Sequence, residues 1–150
     1  MRKLDSWLNE YSASHKNKIN GIIHLICVPL ILWATIGILY AIPVPTILQH
    51  YNFNWSYIVI ILALTFYLRL GIVPYLIMLL QIVVILFICT VLAMSNKPLF
   101  LLSIIVFVLA WIGQFIGHKI EGVKPSFFKD LQFLLIGPLW VSYKILRLRK

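Results

Sequence analysis

From Ile72 to Met94 the chain reads IVPYLIMLLQIVVILFICTVLAM, with no charged side chain in the run. A helix of about 20 apolar residues spans the hydrocarbon core of a bilayer. In hydrocarbon every backbone N–H and C=O must be bonded within the protein, which leaves only helices and closed barrels. Three more runs of the same kind occupy about residues 21–41, 53–69 and 98–117. The four together predict an all-α integral membrane protein, a four-span helical bundle. Composition agrees: 62% of residues are hydrophobic and 11% are charged, where a soluble domain carries about a quarter charged residues. The 150 residues then form a single membrane domain. Cys27 and Cys89 both fall inside apolar runs, so two packing thiols are expected rather than a disulfide.

The ends differ from the middle. MRKLDSWLNEYSASHKNK has no early apolar core or small-residue cleavage site and does not read as a signal peptide. Within residues 4–14, Leu4, Trp7, Leu8 and Tyr11 share one helical face. This predicts a helix that lies at the membrane interface or packs on the protein itself. Near the other end, Leu131 to Tyr143 is apolar but short for a span and contains Gly137 and Pro138. We read about 131–146 as an interfacial or re-entrant helix. With four spans, Arg2, Lys3, Lys16, Lys18, Arg69 and every basic residue after position 118 share one side, and Lys97 alone falls on the other. The positive-inside rule puts both termini in the cytoplasm, in a bacterial inner membrane or the endoplasmic reticulum according to the host. The net charge of +9 therefore reports topology and anionic headgroups, not nucleic acid.

The same count sorts the histidines. His15, His24 and His118 fall at the cytoplasmic ends of the spans, and His50 in a loop on the far side. His24 lies inside the first span, where a polar side chain needs partners. Asn20, four residues earlier, shares its face and is placed to orient the ring. Gln114, His118 and Glu121 share a face at the end of the fourth span. Imidazoles, with or without a carboxylate, suit iron, zinc or copper. His15 and His24 are nine residues apart, about 900° of helix, so a straight helix would place them on opposite faces. A shared site requires a break, and NKING, Asn17 to Gly21, is the expected place. Each histidine alone also fits a helix-end or headgroup contact, and Glu121 also fits a pair with Lys119 or Lys124. There is no glycine-rich phosphate loop, HExxH or cysteine cluster. Mid-membrane polar residues are too few for a transport path.

HKNKINGIIHLICVPLIL, His15 to Leu32, has an H-x8-H block with an internal Asn20 and a following Pro29. WIGQFIGHKIEGVKPSFFKDLQFLLIGPLW, Trp111 to Trp140, has a Q-F-x-G-H block, then a glutamate, a proline and a later Gly-Pro. Jointly they resemble the small membrane-protein family that includes the yeast 2-hydroxy fatty acid dioxygenase. The resemblance implies an Fe(II)-dependent enzyme that reacts a long-chain 2-hydroxy fatty acid with O2 and shortens it by one carbon. It implies His15, His24 and His118 as metal ligands and Glu121 as a further catalytic residue, although the H-x2-E spacing here is one residue shorter than the family's. Lys16, Lys18, Lys119 and Lys124 are the lysines near these blocks that would receive the substrate carboxylate. The alternative is a non-enzymatic membrane protein that binds lipid or a partner.

Overall fold

A computed structural model describes residues 4–13, 15–122 and 127–148, with the side chains of 127–132 left aside. Among the described residues all regular structure is helical: α1 (Leu4–Ala13), α2 (Lys18–Ala41), α3 (Thr46–Gln49), α4 (Ser56–Leu70), α5 (Ile72–Met94), α6 (Leu99–Glu121) and α7 (Phe127–Ile145). They form two compact units. One comprises Met1–Ile31 with Val108–Lys150, and the other Leu32–Phe107.

α2, α5 and α6 are long and apolar enough to cross a membrane. α5 keeps Leu76, Leu80, Val83 and Phe87 exposed along its length. Such continuous apolar surface is at home in lipid and would be an aggregation liability in water. α4 has 15 residues, about 22 Å of helix, which falls short of a hydrocarbon core of about 30 Å.

In the unit Leu32–Phe107 the core is Ile36, Ile60, Ile82, Ile85, Cys89 and Leu99. Tyr40 and Thr90 join their hydroxyls at 3.2 Å. Gly37 faces the Ser103 side chain so closely that a Cβ would collide with it. α4 and α5 meet at one residue, Gly71, whose φ of +136° is open to glycine and strained for any other residue. This is why a join marked only by Arg69 and Gly71 suffices to reverse the chain. Both cysteines are free thiols.

In the other unit, α1 packs on α7. Its periodic face supplies the contacts: Leu8 and Tyr11 are buried, and the Trp7 and Tyr11 rings meet Phe133 edge-on. The Trp140 indole N–H donates to Ser12 Oγ at 2.9 Å. Of the two readings of residues 4–14, packing on the protein is thus realised. Ile136 to Ser142 of α7 are all buried. A helix lying on an interface keeps one face wet, so this part of the segment is built into the fold. Gly137 makes room: a Cβ there would lie 3.1 Å from the Tyr11 hydroxyl and 3.3 Å from Val28.

The expected break between His15 and His24 exists, and it takes in only the first residue of NKING. α1 ends at Ala13 and α2 begins at Lys18. Asn17 caps α2, its side-chain oxygen accepting the Ile19 N–H at 2.8 Å. Asn20 and Gly21 are already helical. Asn17 thus marks the boundary, and Lys18 to Gly21 form the first turn of α2.

Candidate metal centre

The pairing of α2 with α6 begins with two glycines. Gly113 and Gly117 stand one turn apart, a small-x3-small pattern that lets backbones approach. They face Asn20, Ile23 and Cys27 of α2, themselves spaced at one helical face. A Cβ on Gly113 would lie 2.6 Å from Cys27 Sγ, and one on Gly117 would strike Asn20 Oδ1. This close approach brings the residue after Gly117, His118, beside His24.

Three imidazoles converge there. Ring centroids are 4.1 Å apart for His15 and His24, 5.2 Å for His24 and His118, and 5.9 Å for His15 and His118. One ligand nitrogen from each lies within 4.8 Å of the others. Nitrogens bound to one ion at about 2.1 Å lie roughly 3.0–3.4 Å apart when adjacent. Closure on a metal therefore needs an inward shift of about 1 Å.

The rings are positioned for it. His15 Nδ1 meets the Tyr11 carbonyl at 2.6 Å, and a proton donated there leaves Nε2 with its lone pair. Its ring stacks on Tyr11, 4.2 Å between centroids and 9° from parallel. Burial is the chief cause holding the His15 pKa below its ordinary value. The Tyr11 carbonyl and Glu121 oppose this, while His118 and Lys144 reinforce it. The lowering favours the uncharged ring, the form that binds a metal. His24 is 2% exposed, and its Nδ1 lies 3.1 Å from the Tyr11 hydroxyl. Its Nε2 and His118 Nδ1 are buried and have no hydrogen-bond partner among the described residues. Buried unpaired nitrogens are costly, and a metal ion bound there would satisfy them. Three imidazole nitrogen donors fit iron, zinc or copper.

The remaining predicted residues fall into separate places. Glu121 is engaged with α2. It accepts the Lys16 N–H at 2.7 Å, the Asn17 N–H at 3.0 Å and the Asn20 side-chain amide at 2.8 Å. A carboxylate here offsets the positive end of the helix and ties the end of α6 to the start of α2. Asn20, fully buried, thus spends its amide on Glu121, and its oxygen lies against Gly117. Gln114 is buried one turn before His118, its Nε2 without a partner among the described residues. Lys16, Lys18 and Lys119 are exposed, and Lys124 lies outside the described residues. His50 is exposed and closes α3.

Three residues at the centre had no motif to announce them. Tyr11 touches both His15 and His24. The Trp140 ring lies 5.4 Å from His15 and 5.2 Å from Tyr11. Lys144 holds its ammonium 4.7 Å from the centre of the Trp140 ring. Of these, only Tyr11 left a trace in the sequence, as one of the apolar positions of α1.

The profile of the family described as 2-hydroxy-palmitic acid dioxygenase Mpo1-like matches residues 1–148. The chain belongs to this family. The match includes α1 and α7 as well as the histidine blocks, so the Mpo1-like family extends over every element that builds the centre. No curated protein and no solved structure matches the chain.

Proposed function

We propose that the protein is an Fe(II)-dependent dioxygenase of long-chain 2-hydroxy fatty acids, shortening them by one carbon. The observation that carries this reading is the convergence of three imidazoles, two with buried unpaired nitrogens, in a chain of a dioxygenase family. One 2-hydroxy acid and one O2 balance to the acid one carbon shorter, CO2 and water. C2 rises from the alcohol to the acid level and C1 to CO2, supplying the four electrons that O2 takes up.

Iron held by His15, His24 and His118 would supply the oxygen activation and leave positions for the 2-hydroxy acid and O2. The chain's own residues do the rest. Tyr11 holds His15 through its carbonyl and His24 through its hydroxyl, fixing which nitrogen of each ring carries the proton. Trp140 and Tyr11 cover the cluster with aromatic surface and exclude water from it. Glu121 fixes the start of α2 against the end of α6 and keeps His118 in register with His15. Ile19, Ile22 and Ile26 on α2, with Ile112, Phe115 and Ile116 on α6, are exposed, an apolar surface suited to lipid around these two helices.

In this reading α4 also crosses the membrane. His118 near the end of α6 lies beside His24 near the start of α2, which favours an even number of crossings between those points. α2, α5 and α6 account for three crossings, and α4 is the fourth, tilted little and with the bilayer thinned around it. Both termini and the centre then share the cytoplasmic side.

Purified protein loaded with Fe(II) under anaerobic conditions should retain about one iron per chain. His24→Ala and His118→Ala should lose it. The loaded wild type should consume O2 with a 2-hydroxy fatty acid and not with the unhydroxylated acid. A wild type that retains no iron would overturn the reading.

A further inference from the structure

The centre carries a cation that the reaction so far leaves without a task. Lys144 lies in the last turn of α7, one turn after Trp140, and its ammonium rests over that indole ring, a cation–π contact that steadies a flexible stem. The same nitrogen lies 3.0 Å from the point a Cβ on Gly21 would occupy. Gly21 precedes His24 by one turn of α2. A Cβ there would press the ammonium aside by a few tenths of an ångström, so Gly21 leaves room for it. The Trp140 ring beneath the ammonium lies 5.4 Å from the His15 ring. Lys144 is exposed, so an entering ligand can reach it.

Among the described residues no carboxylate pairs with Lys144. The chain has four acidic residues, and Glu121 is committed to the start of α2. A divalent ion on three neutral imidazoles with an ammonium beside it makes a strongly cationic recess, which calls for an anion from the ligand. A 2-hydroxy acid has its carboxylate on the carbon next to the hydroxyl-bearing one. Seating that carboxylate at Lys144 would leave C2 facing the histidines and the tail free to extend toward lipid. Lys16, Lys18 and Lys119 show no contact with the cluster among the described residues.

We propose that Lys144, laid over Trp140 and admitted by Gly21, receives the carboxylate of the 2-hydroxy fatty acid and so sets its C2 beside the three histidines. This rests on the dioxygenase reading for the identity of the acid, and its test is a binding measurement that does not depend on turnover. Binding of 2-hydroxypalmitate and of its methyl ester to iron-loaded protein in detergent is compared for wild type, Lys144→Met and Lys144→Arg, with iron content measured in each. Wild type should prefer the acid. Lys144→Met should keep its iron and bind the acid about ten- to a hundredfold more weakly, the range expected for a hydrogen bond to a charged group, with the ester unaffected. Lys144→Arg should restore most of the preference. If Lys144→Met binds the acid as tightly as wild type, the assignment is overturned even where O2 uptake continues. If wild type shows the acid preference and Lys144→Met loses it while neither consumes O2, the carboxylate site stands and the dioxygenase reading fails.

Discussion

Tyr11 shows how much one residue can coordinate. Its carbonyl holds His15, its ring stacks on the same imidazole, and its hydroxyl meets His24. Tyr11→Phe keeps the ring and removes one oxygen. The fold should survive, and iron affinity should fall about 10–100-fold, the usual cost of losing an outer partner of a metal-bound histidine; an anaerobic Fe(II) titration measures this. Glu121 permits a sharper contrast. As a tie to α2 it should tolerate Glu121→Gln with iron still bound, at a loss of about 1 kcal/mol of stability. A metal ligand would instead lose the iron outright, so metal analysis beside thermal unfolding separates the two roles. The sequence placed Glu121 and His118 on one face correctly. It did not reveal that the carboxylate's partners would be backbone amides more than a hundred residues away.

At the scale of elements, the centre depends on how closely α2 and α6 approach. Gly117→Ala adds a methyl where Asn20 Oδ1 already sits. Interfaces packed this tightly shift rather than absorb a methyl, so α6 should move outward and carry His118 with it. Iron retention should fall by an order of magnitude or more, while helix content by circular dichroism stays within a few percent of wild type. The glycine pair Gly113 and Gly117 was present in the sequence as a small-x3-small pattern. What it packs against was not, because the pattern says only that some helix comes near. α7 makes the same point. Its shortness and its Gly-Pro pair pointed to the interface, yet Ile136 to Ser142 are buried, because α1 covers them and Gly137 admits Tyr11.

For the whole molecule, the four crossings proposed above would place both termini on one side and Lys97 on the other. Reporter fusions at the two ends should respond alike, and a reporter inserted beside Lys97 should respond oppositely. Termini on opposite sides would remove α4 from the set of spans and leave three.

By itself the sequence determined that this is a helical membrane protein. Uninterrupted apolar runs admit few alternatives once backbone polar groups must be satisfied without water. It also marked the three histidines as candidates for one site, because charge asymmetry assigned their ends of the spans to one side. Only the tertiary structure decided which groups complete the centre. Tyr11, Trp140 and Lys144 come from the first helix and the last, and their meeting depends on contacts between side chains far apart in the chain. Periodicity reports which face of a helix is apolar; it carries no information about which other helix that face will meet.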